Sequence, residues 1–365
     1  MLKSNSLNTS RFDWVLIVSV LFLITVGLSA IYSVDLSSGS TGLILFKKQS
    51  IALVLGLILL FLASFSQHTF FRSTAKWWYL VAIIFLFLVL FFGQKIRGTT
   101  GWFVFGGFSF QPVEFAKIGL ILMLAYIISR FGRRFERPLF FFGTGAVTLI
   151  MIVLIMLQPD LGSAAIIGII WFGLMMLVGA RKLYLRMLVG LGILCSILAW
   201  FFLLQDYQKD RIVTFINPNK DRLGAGYNVS QSIIAVGSGQ VLGRGLGYGS
   251  QSQLRFLPET QTDFIFSVIG EELGLVGVLV LLVLYAIILW RILLIIKNNT
   301  NDFASIVASG TFILFFSQFI INVGASIGLL PVTGVTLPFV SYGGSSLIIN
   351  LLLVGILESM ARRKN

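Results

Sequence analysis

Apolar residues run through this chain in long stretches that are separated by short polar segments. Most stretches hold about 17–25 residues, the length that crosses a hydrocarbon core of roughly 30 Å as a helix. We therefore predict an all-α polytopic membrane protein with about ten transmembrane helices. The predicted spans are 14–33, 49–66, 78–93, 113–130, 140–157, 160–179, 186–204, 265–290, 303–324 and 338–357.

Composition excludes a soluble fold. Apolar residues make up 57% of the 365 residues, the mean hydropathy is +0.96 and only 11% are charged. An ordinary soluble domain is roughly a quarter charged. We expect one transmembrane domain over residues 1–365, with its first span retained and not cleaved as a signal peptide, because no small-residue cleavage site follows it.

Basic residues are biased to one side of the predicted spans. The short segments on that side hold Lys3, Arg11, Arg72, Lys76, Arg130, Arg133, Arg134, Arg137, Arg181, Lys182, Arg186, Arg291, Lys297, Arg362, Arg363 and Lys364. By the positive-inside rule this side is cytoplasmic, so both termini are predicted to lie in the cytoplasm. The net charge of +13 is thus a topology signal, and we expect no nucleic-acid partner.

One connection is much longer than the others. Residues 205–264, between the seventh and eighth spans, form a large extracytoplasmic loop. Loops of this length are usually functional or disordered. Aromatic and apolar residues alternate here with turn glycines, which favours short helices and turns packed at the membrane face.

The sequence offers few metal ligands. Cys195 is the single cysteine and His68 the single histidine, so neither a disulfide nor a multi-Cys or multi-His metal site can form within the chain. A divalent cation held by other ligands remains an open expectation.

Two acidic residues on the outer side have competing interpretations. Glu114 and Lys117 lie three residues apart behind Pro112, which places both on one helix face, as a cavity pair or as a structural ion pair. Asp160 stands in a tight turn between spans, where it could contact a substrate or only cap the next helix.

Asp263 directly precedes a long apolar run and is a candidate general base at the outer mouth of a helix. Its alternative role is again helix capping. Glu271 and Glu272 follow about two turns deeper. Two adjacent carboxylates at that depth cannot both face lipid, so at least one must face the protein interior.

Two glycine-rich segments lie on the outer side. Residues 235–249 contain many glycines but no strand precedes them, so they are a weak nucleotide motif. Residues 328–346 hold two prolines and several glycines at membrane depth. Broken backbone there is tolerated only when it is buried in protein or lines a cavity.

Several of these motifs together resemble the shape, elongation, division and sporulation family of bacterial membrane proteins, the RodA and FtsW group, with more similarity to RodA. The similarity covers residues 10 to 360. It is carried by Phe110–Lys117, Gln158–Ser163, Gly224–Asn228, Phe256–Gly274 and Gly328–Ser346.

The resemblance implies an inverting peptidoglycan glycosyltransferase of the bacterial cytoplasmic membrane, which polymerises lipid II at the outer face for cell elongation. It implies that Asp263 is the catalytic carboxylate, that Glu114 and Lys117 form a cavity pair and that Trp102 is functional. Gly101 stands where the family often has an arginine. Arg211 and Arg255, with Arg222 and Arg244 of the long loop, are candidates to offset pyrophosphate charge.

The resemblance also implies partners: lipid II as substrate, a class B penicillin-binding protein and other elongation-complex membrane proteins. Two other functions compete with the enzyme. A lipid II flippase would need polar groups along the full membrane depth, whereas the cytoplasmic half of the spans is almost free of acids. A non-catalytic scaffold for a penicillin-binding protein predicts that replacing Asp263 is harmless.

Overall fold

The computed structural model describes residues 12–37, 43–96, 98–131, 135, 137–202, 209, 213, 215, 225–254, 256–257 and 259–362. Within these ranges, ten long helices correspond one to one with the predicted spans. They are α1 (Trp14–Ser37), α2 (Ile44–Phe65), α3 (His68–Phe92), α4 (Pro112–Phe131), α5 (Pro138–Met156), α6 (Leu161–Leu177), α7 (Lys182–Phe202), α10 (Ile265–Asn298), α11 (Asp302–Ser326) and α12 (Gly344–Ala361).

Eight of these helices are long and apolar enough to cross a membrane, and α6 is a shorter apolar helix of 17 residues. The predicted multi-pass all-α architecture is confirmed. Within the predicted long loop, the described residues contain α8 (Ala225–Ser238) and α9 (Ser250–Gln253).

A small antiparallel sheet stands between α3 and α4, where we predicted only a loop. Its strands are β1 (Gln94–Ile96), β2 (Thr99–Phe105) and β3 (Phe108–Phe110), in the order β1-β2-β3. Trp102 pairs with Gln94 and Phe103 with Phe110. The sheet is joined to α12, because the Ser345 hydroxyl donates to the Ser109 carbonyl of β3 at 2.6 Å.

Both ends of the described chain meet at one face of the bundle. Asp13, just before α1, forms a 2.6 Å ion pair with Arg291 near the end of α10. The Asp13 amide donates to the Glu358 carboxylate of α12 at 3.0 Å, and the Arg362 guanidinium lies 4.5 Å from the Phe12 ring. Because the long helices traverse the bundle alternately, the sheet and the described part of the long loop lie at the opposite face.

The last span begins later than predicted. We expected a helix over 338–357, but residues 327–343 are non-helical and α12 begins at Gly344. Val335 and residues 337–341 are buried, so this segment is apolar for a reason other than helical contact with lipid. Hydropathy alone does not distinguish such a buried segment from a helix.

The backbone of α10 is broken at Gly274, which has φ +65° and ψ −161°. The break frees backbone groups on both sides of it, and residues 240–245 bind them. The Leu275 and Val276 amides donate to the carbonyls of residues 240 and 241 at 2.9 and 3.1 Å. The amides of residues 244 and 245 donate to the Glu271 and Glu272 carbonyls at 3.0 and 2.9 Å.

We predict that Gly274→Ala lowers the thermal unfolding midpoint. An L-residue at these angles costs about 1–3 kcal/mol. A Cβ there would also stand 2.2 Å from the Gly243 amide nitrogen. The measurement is thermal unfolding of purified protein in nanodiscs.

Gly143→Ala is the matched control, because Gly143 lies inside α5 and a Cβ there meets nothing within 4 Å. We expect this variant to unfold at or slightly above the wild-type midpoint. Equal midpoints for the two variants would contradict the importance of the break.

Candidate functional site

Glu114 and Lys117 form a buried ion pair at the start of α4. The Lys117 Nζ atom lies 2.7 Å from Glu114 Oε1, and both side chains are buried. Pro112 begins the helix, and the three-residue spacing brings the two side chains to one face as predicted. The second carboxylate oxygen of Glu114 is buried without a hydrogen-bond partner among the described residues, so it remains available to a polar ligand.

Asp263 lies in the turn directly before α10 and is partly exposed. Its amide donates to the Glu259 carbonyl at 3.2 Å. Its carboxylate faces Gly334, where a Cβ would stand 4.0 Å from Asp263 Oδ2. Gly334 has φ +74° and is exposed, so the absence of a side chain there leaves the approach to the carboxylate open.

Three successive carbonyls around Asp263 are held by donors from one region. The Tyr342 amide donates to the Gln261 carbonyl at 2.7 Å. The Ser341 hydroxyl donates to the Thr262 carbonyl at 2.7 Å. The Asn322 side-chain amide donates to the Asp263 carbonyl at 3.1 Å. The backbone that carries the carboxylate is therefore fixed on three consecutive residues.

The segment 331–346 brings the separate predicted motifs together. At one end Thr333 packs on Gly162, where a Cβ would stand 2.6 Å from the Thr333 carbonyl oxygen. At the other end the Ser345 hydroxyl accepts from the Gln111 amide at 3.2 Å. The turn of Asp160, the start of α4 and the turn of Asp263 thus all contact this segment.

Asp160 caps α6, which is the structural alternative considered above. Its carboxylate accepts from the Ser163 amide at 3.0 Å and from the Ser163 hydroxyl at 2.7 Å. Trp102 is partly buried in β2, and the neighbouring Gly101 faces Gln158, with 3.2 Å between its Cβ position and Gln158 Oε1. The sheet and the Asp160 turn are therefore adjacent.

The structure describes only some of the basic residues of the long loop. Arg211, Arg222 and Arg255 lie outside the described residues. Arg244 is described, and its guanidinium donates to the Ser250 hydroxyl at 2.7 Å and to the Ser238 carbonyl at 3.3 Å. Arg244 thus binds its own loop.

Glu271 and Glu272 are both buried in protein, as the sequence required of at least one. Glu271 accepts from the amides of Gln251 and Ser252 at 2.8 and 3.0 Å. Glu272 accepts from the Ser33 hydroxyl at 2.5 Å and from the Gln253 side chain at 3.0 Å. These carboxylates attach the long loop to α10 and α1.

Sequence reasoning missed Asn322 entirely. It is a buried amide inside the apolar helix α11, and it donates to Val335 as well as to Asp263. A polar side chain within an apolar span is the signal that could have identified it. Ser341 and Tyr342 fall in the predicted cavity segment, but their partners could not be read from spacing.

Among the described residues, no group of three or more His, Cys, Asp or Glu side chains is placed to hold a metal ion. The expected divalent cation would therefore need ligands from the substrate or from the rest of the chain.

Comparisons with known proteins agree with this architecture. A sequence profile described as cell cycle protein, FTSW_RODA_SPOVE, matches residues 13–365. The peptidoglycan glycosyltransferase MrdB of Escherichia coli K12 is 39% identical over 311 residues, which are 84% of this chain and 83% of that protein. Stage V sporulation protein E of Bacillus subtilis is 34% identical over 361 residues, which are 96% and 97% of the two chains.

Two solved structures have the same fold. One comes from a peptidoglycan synthase complex, described for its structural coordination of polymerization and crosslinking. Its TM-score is 0.79 and its sequence identity 32%, over 96% of this chain and 98% of that chain. The rod shape determining protein RodA of Thermus thermophilus has a TM-score of 0.73, 31% identity and 98% coverage of both chains. This chain therefore belongs to the FtsW, RodA and SpoVE family of cell cycle proteins.

Proposed function

We propose that this chain is a peptidoglycan glycosyltransferase that polymerises lipid II into glycan strands at the outer face of the cytoplasmic membrane, for elongation and rod shape. The names of its relatives support the reaction and the role in shape. The observation that carries the proposal is the position of Asp263, whose carboxylate faces an open approach while three bonded carbonyls fix its backbone.

The reaction joins two sugars. The 4-hydroxyl of the acceptor gives its proton to the Asp263 carboxylate as its oxygen attacks the anomeric carbon of the donor. A new carbon–oxygen bond forms, the bond to the lipid pyrophosphate breaks, and the pyrophosphate leaves with the electron pair. One direct displacement of this kind inverts the anomeric configuration. A fixed base close to the acceptor contributes both proton transfer and orientation.

The other predicted site residues bind substrate in this proposal. Lys117, held by Glu114, offsets charge on the pyrophosphate, together with Arg211 and Arg255 of the long loop. Trp102 in β2 and Asp160 in the neighbouring turn contact the sugars. Asp160 does so while it caps α6, since a cap uses only part of the carboxylate's accepting capacity.

The proposal also includes the orientation of the chain in the membrane and a protein partner. Both termini face the cytoplasm in this proposal, because the described basic residues Arg291 and Arg362 lie at the end of the bundle where Asp13 is found. A class B penicillin-binding protein cross-links the strands that this chain makes. The solved relative from a peptidoglycan synthase complex supports a partner of this kind.

We predict that Asp263→Asn abolishes polymerisation of labelled lipid II by purified protein. The change keeps the shape and removes the base, which typically costs about 10²–10⁴ in rate. Asp302→Asn, at the exposed start of α11 on the opposite face, is the control and stays active. Wild-type activity in Asp263→Asn would favour the scaffold.

We predict that Asn322→Leu lowers kcat about 10–100-fold with little change in KM, because a small displacement of a catalytic group has a cost of this size. Gln318→Leu is the matched control. Gln318 is one turn away on α11, is also buried, and has no hydrogen-bond partner among the described residues. Similar kinetics for the two variants would show that Asn322 does not position Asp263.

We predict that Glu114→Gln and Lys117→Met each lower the unfolding midpoint and the polymerisation rate. Leaving one buried charge unpaired costs about 3–5 kcal/mol. The double variant should regain the midpoint but stay inactive if the pair serves the substrate. Recovery of polymerisation together with stability would mean that the pair only fixes helix packing.

A further inference from the structure

The broken helix α10 places part of the long loop at an unexpected depth. Two tryptophans mark the cytoplasmic boundary of the bundle: Trp14 is 57% exposed and Trp290 is 55% exposed, beside the Asp13–Arg291 ion pair. Tryptophans that flank charged residues at helix ends are typical of the membrane interface. Heights in the membrane can be measured along the helices from this level.

Two helices give the same height for Glu272. Along α10, the path from Arg291 to Glu272 is about 28 Å at the helical rise of 1.5 Å per residue. Along α1, the path from Trp14 to Ser33, which donates to Glu272, is also about 28 Å. A hydrocarbon core of roughly 30 Å therefore ends near Glu272.

Leu275 and Val276 lie below this level, at about 22–24 Å along α10. Any tilt of the helix lowers them further. Their amides bind the carbonyls of Gln240 and Val241, so the backbone of the loop reaches the same depth. The loop therefore enters the outer part of the hydrocarbon layer, on the surface of α10, and does not only cover the membrane face.

The side chains of this part of the loop are apolar and exposed. Val241 and Leu242, beside the level of Leu275 and Val276, are 59% and 81% exposed. Leu246 and Tyr248, beside the level of Glu272, are 49% and 78% exposed. The adjacent surface of α10 is apolar and exposed in the same way, through Leu275, Val276, Leu279 and Val280. The loop surface is thus continuous with a helix surface that faces lipid.

We propose that residues 240–248 form a re-entrant loop that is inserted in the outer leaflet, with lipid acyl chains as the partner of Val241, Leu242, Leu246 and Tyr248. The hydrogen bonds at the Gly274 break satisfy part of its backbone, as apolar surroundings require. Arg244 and Ser250 stand at the boundary, because the Arg244 amide binds the Glu271 carbonyl. This inference does not depend on the proposed enzymatic activity.

The test uses nitroxide spin labels on single cysteines in a Cys195→Ala background, with the purified protein in phospholipid nanodiscs and without any partner protein. The reporter is Leu242→Cys, and Val241→Cys is a second reporter in case the first does not fold. Leu279→Cys on α10 is the lipid reference. Lys95→Cys on the exposed strand β1 is the water reference. For each nitroxide label, the rate of collision with oxygen is compared with the rate of collision with a water-soluble nickel chelate.

The proposal predicts that the ratio of oxygen to nickel collision at Leu242 approaches that at Leu279, which lies deeper, and exceeds that at Lys95 several-fold. A ratio equal to that of Lys95 would place the loop in water and overturn the proposal. A label that is shielded from both reagents would mean that protein covers the residue, and it would overturn the proposal as well.

Discussion

The structure depends on one constraint: backbone groups that leave helical geometry inside an apolar bundle need hydrogen-bond partners, because no bulk water reaches them. Residues 331–343 are not helical although they lie inside the bundle, and side chains from the three helices α2, α10 and α11 donate hydrogen bonds to their carbonyls. The side-chain donors are Asn322 to Val335, Tyr285 to Pro338 and Gln49 to Ser341.

The same network holds the proposed catalytic residue. The Ser341 hydroxyl donates to the Thr262 carbonyl, and the Tyr342 amide donates to the Gln261 carbonyl. The Asn322 side-chain amide donates to the carbonyls of both Val335 and Asp263. The backbone that carries the Asp263 carboxylate is therefore held by the same segment and the same amide side chain. This explains how a residue in a turn, outside any helix, can have a defined backbone position.

Much of the fold could be predicted from sequence because hydropathy reports burial in lipid directly. The ten long helices, the Glu114–Lys117 pair and the short helices in the described part of the long loop followed from run length, helical spacing and composition. The late start of α12 did not, since residues 338–343 are apolar whether they face lipid or protein.

Other features depend on contacts that have no local signal. The break at Gly274 lies inside a continuous apolar run, and a glycine there is compatible with an intact helix. The sheet at 94–110 requires pairing between short strands with little alternation. For the site, the sequence identified the acidic residues individually. Only the structure shows that residues 331–346 contact the turn of Asp160, the start of α4 and the turn of Asp263.

The central claim is that Asn322 acts through Asp263, and a double-mutant cycle on kcat tests it most directly. Asp263→Glu keeps a carboxylate but moves it by one methylene, so the position that Asn322 maintains is already lost. The account predicts that Asn322→Leu lowers kcat strongly in the wild-type background and only slightly in the Asp263→Glu background, with a coupling of about 1 kcal/mol or more. Equal losses in both backgrounds would show that the two residues act independently and would contradict the account.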